Sequence, residues 1–285
     1  MLKFMLAARR RPDTSQERYF YEWGIIHVSL MLQTPSVMSS FRRYVQHYSV
    51  SGVDDSMLIF PLSPMAWDNM ADHVVDDYEA IGIPFKDRDY PQRMQPHKFG
   101  DDAFAVELLD WETVYEEPGF YAGGVKLIHW LRKRPELTYE QFNVAWRDHA
   151  RKMLAVVPQG LIRKLVIDKH VPMDPAIFKG TLFEKGNVGY YAGVEEIWFR
   201  TVEDVALLRR DPALYEQLRD SYRSFVADQD TFCMVTTERV VYDYITPGHI
   251  SPKASVLIPG TLEYEVDKQG YSGWNIPGWD KDLYR

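Results

Sequence analysis

An α+β chain built from two copies of one strand–helix–strand–strand–helix–strand unit is the architecture this sequence predicts. Three observations predict it. The stretch "RRRPDTSQERYFYEWGIIH" (Arg9–His27) is rewritten as "RKRPELTYEQFNVAWRDH" (Arg132–His149). A shift of 123 positions pairs Lys3 with Lys126, Arg9 with Arg132, Arg11 with Arg134, Pro12 with Pro135, Glu17 with Glu140 and Trp23 with Trp146, without a gap. Later apolar segments recur in the same order in both halves.

Each half opens on an apolar strand, "LKFMLAA" and "VKLIHWL", which a proline ends. A helix follows. Thr138 with Gln141 forms a capping box in the second half, and Thr14 with Glu17 offers the same pairing in the first. Phe142, Trp146, His149 and Met153 make one stripe on the second helix, as do Tyr19, Trp23, His27 and Leu30 on the first. Residues 41–50 and 162–171 read as second strands. Residues 56–62 and 194–200 read as third strands, followed by helices near 64–81 and 202–226. Residues 103–115 and 231–243 close the units. This order is the ferredoxin-like plan. Each four-stranded sheet covers one face with helices and leaves the other bare, so the two bare faces should pack sheet to sheet within the chain. The first repeat spans 1–118, a linker 119–123 and the second repeat 124–245. A tail, 246–285, is rich in Pro, Gly, Trp and Tyr. Left in water, Trp274 and Trp279 would be costly, so the tail should wrap over its own repeats or onto a second subunit as a homodimer.

The chain has 285 residues and a net charge of −8, with a pI near 5.5. That acidity argues against a nucleic-acid partner. The runs Arg9–Arg11 and Arg132–Arg134 read as strand-end charges. Cys233 is the single cysteine, so an intrachain disulfide and a cysteine metal cluster are excluded. Neither a signal-peptide core nor an apolar run of ~18 residues is present. The expectation is a cytoplasmic protein with no membrane partner. No P-loop, dinucleotide fingerprint or serine elbow occurs, which argues against nucleotide use and serine hydrolysis.

The pattern strand, R-x-R-P-x-[ST], then an aromatic, a tryptophan and a histidine on one helix face resembles the EthD domain, within the dimeric α+β barrel superfamily. The resemblance covers residues 1–118 and 124–245. It implies a barrel formed inside one chain, and relatives that include cofactor-free monooxygenases, cyclases, isomerases, lyases and haem enzymes. In the family the histidine lies four residues after the tryptophan, as His27 does, whereas His149 lies three after Trp146, with Ala150 at the usual place. In such repeats a cavity forms between helices and sheet.

An imidazole titrating near ~6.5 can carry a proton there. His27 and His149 are therefore the catalytic candidates, with Trp23 and Trp146 as apolar walls. A buried neutral histidine bonded to a backbone carbonyl is the alternative for each. Tyr44, on a face with Gln46 and Tyr48, could orient an oxygen-bearing ligand. His129 faces either the cavity or the space between the sheets, and His47, Asp168 and His170 read as structural. Asp148 points away from the stripe and should pair with Arg151 or Lys152. His73 and Asp77 have i, i+4 spacing, but no H-E-x-x-H accompanies them, so a solvated helix face is preferred and no metal is expected. The polar loop 84–100 offers Arg88, Tyr90, Arg93 and His97 as contacts to a substrate carboxylate or carbonyl. These residues imply an enzyme without cofactors, moving protons on a small hydrophobic carbonyl, lactone or aromatic compound in isomerase, cyclase or lyase fashion. A cofactor-independent monooxygenase would use the same base. A non-catalytic accessory protein that binds small molecules in an oxidative pathway is the alternative from another class. Haem would need His27 or His149 as axial ligand, and no Soret band is expected.

Overall fold

The computed structural model describes residues 1–87 and 99–247. Strand β1 (Leu2–Arg10) leads to helix α1 (Gln16–Tyr21), a π-helical turn (Glu22–His27), α2 (Val28–Leu32) and α3 (Pro35–Ser40). Strands β2 (Phe41–Ser49) and β3 (Asn69–Val75), helix α4 (Tyr78–Lys86) and β4 (Gly100–Glu116) complete the first repeat. The second comprises β5 (Val125–Lys133), α5 (Tyr139–Val156), β6 (Lys164–His170), a short β7 (Asn187–Val188), β8 (Gly193–Phe199), α6 (Val202–Arg210), α7 (Pro212–Arg223) and β9 (Val226–Asp243). Among the described residues no helix is long and apolar enough to cross a membrane.

Within each repeat the first strand lies between the third and the last: β2–β3–β1–β4 in one, β6–β8–β5–β9 in the other. That is the ferredoxin-like order. The two sheets face each other as expected and also pair along both edges, β2 with β9 and β4 with β6. Eight strands therefore close into one ring, and β7 adds a parallel two-residue pairing to β4. Closure satisfies the backbone donors and acceptors that an open sheet would leave at its edges.

Side chains alternate between the ring's lumen and the helix layers. Phe4, Leu6 and Ala8 join a cluster under the first repeat's helices. Leu127 and Leu131 join another under the second's. Met5, Ala7, Ile128 and Trp130 meet inside the ring. The lumen also holds charge. The Lys3 ammonium donates to Asp168 (2.7 Å) and to Glu196, and Lys126 reaches Glu196 (2.6 Å) and Glu238 (2.7 Å). Burial alone would pull both lysines down, but the surrounding carboxylates hold them above their ordinary values.

The first repeat departs from expectation at two places. Residues 56–62, an apolar run read as the third strand, form a 3₁₀ turn at Asp55–Met57 followed by a buried segment, Leu58–Phe60. The third strand is Asn69–Val75, which had been expected inside a helix at 64–81. Both of its faces are buried, with Asp72 turned to the lumen lysines, so its charges mimic a solvated helix face. Asp77 is the N-cap of α4, accepting from the Ala80 N–H (3.0 Å), and is no ligand partner for His73. The first helix is capped by Ser15, one residue beyond Thr14. Thr138 and Gln141 form the expected box.

The β2–β3 loop of each repeat crosses to the other. Leu58–Phe60 packs into the second repeat's helix–sheet cluster, while Phe178, Leu182 and Phe183 pack into the first's. Residues 248–285, including Trp274 and Trp279, lie outside the described residues, as does the expectation that the tail forms contacts.

Candidate functional site

A cavity of about 60 Å³ lies between the helices and sheet of the first repeat. Phe4, Leu6, Tyr44, Ala71 and His73 form its floor, Tyr19, Trp23, His27 and Met31 its helical wall, and Leu182 and Phe183 a wall from the other repeat. One water needs roughly 10–15 Å³ on this scale, so the space holds several waters or the reactive end of a small molecule.

The helical wall is irregular for a local reason. A π turn releases carbonyls from the ordinary α pattern, and here side chains take them. The Gln46 amide donates to Trp23 O (3.2 Å) and Arg239 of β9 donates to Gly24 O (2.8 Å). Gly24 lets Tyr48 lie close against the turn, since a Cβ there would sit 2.4 Å from the Tyr48 hydroxyl. The turn ends at His27, which it sets on the cavity wall, half-buried. Trp23 packs on Tyr48 (4.8 Å between centroids), and with the Asn69 amide turned to donate to Ala8 O, its indole N–H donates to the Asn69 oxygen (3.3 Å).

On the floor, Tyr44 and His73 stack at 4.5 Å with their planes nearly parallel. The Tyr44 hydroxyl accepts from Gln46 (2.9 Å), whose oxygen accepts from Tyr48 (2.7 Å). Burial lowers His73 to about 4, against the pull of Asp72 and the Phe4 backbone, so its ring is neutral at pH 7. Its Nδ1 has no hydrogen-bond partner among the described residues. Sequence reasoning missed His73 as a site residue by placing it on a helix. The alternation Ala71, His73, Val75 against Met70, Asp72, Val74 was the available signal.

The matching space in the second repeat is packed. Trp146 is fully buried and its indole donates to Glu195 (2.8 Å), and Tyr222 also donates to that carboxylate. His129 faces this layer, not the lumen, with Nδ1 2.9 Å from Glu195. His149 lies against Tyr222 (3.8 Å) and Phe225 (5.5 Å), with neither ring nitrogen bonded among the described residues. Burial lowers it to about 4, against Glu195. The structure thus brings His27, Trp23 and Tyr44 together at one cavity and sets His149, Trp146 and His129 in a separate, filled layer. Arg93 and His97, with Arg88 and Tyr90, lie outside the described residues. Asp148 makes the expected surface pair with Arg151 (3.2 Å).

In the lumen, His47, Asp72 and Glu196 offer donor atoms within 4.8 Å of one another. Lys3 and Lys126 lie against the two Glu196 oxygens, so ammonium groups stand where a cation would have to bind.

This architecture, two ferredoxin-like halves closed into one ring with helices outside, is that of the dimeric α+β barrels, here within a single chain. Residues 134–232, within the second repeat, match the model of the EthD domain. No curated protein matches the chain. Among solved structures, an anthrone oxidase-like protein superposes with a TM-score of 0.54 at 11% identity, covering 87% of this chain and 96% of its own. A chlorite dismutase from Candidatus Nitrospira defluvii gives 0.44 at 11% identity, over 83% and 91%. A candidate monooxygenase from Lactobacillus acidophilus NCFM gives 0.43 at 10%, over 83% and 93%. At such identities the likeness to the first is one of fold.

Proposed function

We propose that the chain is a cofactor-free enzyme that moves a proton on a small, largely apolar carbonyl, lactone or phenolic compound held in the first repeat's cavity. One observation carries this reading. A mostly aromatic and aliphatic enclosure holds His27 on its wall and, on its floor, a neutral His73 whose Nδ1 has no hydrogen-bond partner among the described residues. Leaving such a nitrogen buried costs about 1–3 kcal/mol, which a ligand's polar group would recover. In this scheme Trp23 and Phe183 hold the apolar body, Tyr44 and His73 fix the ligand's oxygen, and His27 takes the proton from the adjacent carbon. Returning it to another position gives isomerisation or cyclisation, and loss of a leaving group gives a lyase. His149 has no part in the scheme.

A second reading is favoured by the likeness to an anthrone oxidase-like protein. The same deprotonation would give a carbanion that reacts with dioxygen, turning CH₂ into C=O with release of one water. The test is proton–deuterium exchange by NMR on a panel of enolisable ketones, lactones and anthrone-type phenols, with oxygen uptake measured in parallel. Exchange should fall by ~10²–10⁴ in His27→Gln. Undiminished exchange in that variant would remove His27 from the scheme. Uptake coupled to exchange selects the oxygenase, and ligand binding without either in wild type selects the accessory role.

A further inference from the structure

The packed layer of the second repeat contains an arrangement that its own fold does not use. Glu195 accepts from His129 Nδ1 (2.9 Å), from Trp146 and from Tyr222. In the tautomer that carries its one proton on Nδ1 and gives it to the carboxylate, Nε2 is left as a lone-pair acceptor. That nitrogen is fully buried and has no partner among the described residues. Nor do Nε and Nη1 of Arg219, a buried guanidinium whose Nη2 holds Asp228 (2.8 Å).

What fills the space beside these groups is an aromatic ring from the other repeat. Phe60 stands edge-on to His129 (5.1 Å) and Tyr222 (4.8 Å), with the Arg219 guanidinium 4.9 Å from its centroid. A benzene ring thus occupies a slot whose remaining walls can hydrogen-bond, and it has nothing to bond with. The repeat symmetry identifies the slot. Leu6 and Ala71 pair across β1 and β3 as His129 and Glu195 pair across β5 and β8. Leu6 and Ala71 line the first repeat's cavity. The corresponding place is open in one repeat and plugged in the other.

The plug's backbone is held at Cys233. Phe60 O accepts from the Cys233 thiol (3.0 Å) and Pro61 O from the Cys233 N–H (2.9 Å). Leu62, Ser63 and Trp67 of the same loop border a space of about 240 Å³, which Val53 and Cys233 line on one side and Arg10 and Asp68 on another, and its volume exceeds that of a phenyl ring.

We infer that the second repeat holds a binding site for a small neutral phenol, in which the ligand's ring replaces that of Phe60 and its hydroxyl donates to His129 Nε2. The site is separate from the first repeat's cavity and stands whether or not His27 carries a proton. A phenol satisfies the orphan acceptor, whereas a carboxylate would be placed against Glu195.

Cys233 is the chain's single cysteine and lies directly under the plug, so it reports displacement in the native protein. Its labelling by a thiol-exchange chromophore would be followed with p-cresol and, separately, with toluene. p-Cresol should speed labelling at least tenfold and saturably, toluene should not, and His129→Phe should abolish the difference while leaving circular dichroism unchanged. Equal effects of the two probes, or none from either, overturn the site. Binding to Phe60→Leu and Phe60→Ala, followed by calorimetry, gives the second readout. The enlarged slot should favour p-cresol over toluene at least tenfold, and equal affinities would show only an engineered void.

Discussion

Replacing His149 by phenylalanine should flatten the acid side of the stability curve by a calculable amount. The imidazole is buried against Tyr222 and Phe225, near Glu195, His129 and Lys152, and its pKa is lowered from the ordinary 6.5 to about 4. Between those values the unfolded chain binds a proton that the folded chain refuses, so folding stability falls as pH falls through this window. At about 1.36 kcal/mol per pH unit, this single group withdraws about 2 kcal/mol between pH 7 and pH 5, and about 3 kcal/mol by pH 4. His73, also lowered to about 4, adds a comparable loss. Urea unfolding at pH 7 and pH 5 should therefore show wild type losing about 2 kcal/mol more than His149→Phe over that interval. At pH 7 the variant should be no less stable, since it removes two buried ring nitrogens that have no hydrogen-bond partner among the described residues. Parallel stability–pH curves for the two proteins would mean that His149 titrates alike folded and unfolded, contrary to its burial.

Lys126→Met should cost about 3–5 kcal/mol in denaturant unfolding, because it leaves Glu238 without its lysine and Glu196 with Lys3 alone in the ring's lumen, and adding Glu196→Gln should recover part of the loss. Gly193→Ala should lower stability by about 1–3 kcal/mol, since a Cβ would sit 2.5 Å from the Trp146 ring and 2.6 Å from the Asp168 carbonyl. A change in Trp146 near-UV dichroism should accompany the drop, and an unaltered signal with unaltered melting would contradict the packing described. Phe183→Ala, at up to about 3–5 kcal/mol, should let bulkier ligands into the first repeat's cavity, which a size series of probes would show. An unchanged size preference would mean that the loop from the second repeat does not bound that site.

The repeat, the strand order and the inward stripes were legible because side-chain period and proline punctuation are local signals. Phe142, Trp146, His149 and Met153 are all buried as their spacing implied. Two features were not legible, for one shared reason. "NMADHVV" carries charge at Asp72 that lysines neutralise across the ring, and "LIF" at 58–60 is apolar because it fills the other repeat. Neither fact is visible without the partner strand or layer. The second repeat held the clue, since "VEEIWF" is equally charged and is a strand. The difference between His27 and His149 was also hidden. It depends on a π turn whose carbonyls are captured by Gln46 and Arg239, residues remote from it in the chain.

Covalent linkage of the two halves has an evolutionary consequence. In a symmetric pair of separate identical polypeptides, every substitution is copied into both chambers at once, so enlarging one enlarges the other. Here a change at Leu6 leaves His129 untouched, and a change at Phe60 alters one chamber's filling without altering the other's wall. The duplicated barrel can therefore specialise its halves independently while each still supplies a strap that the other needs.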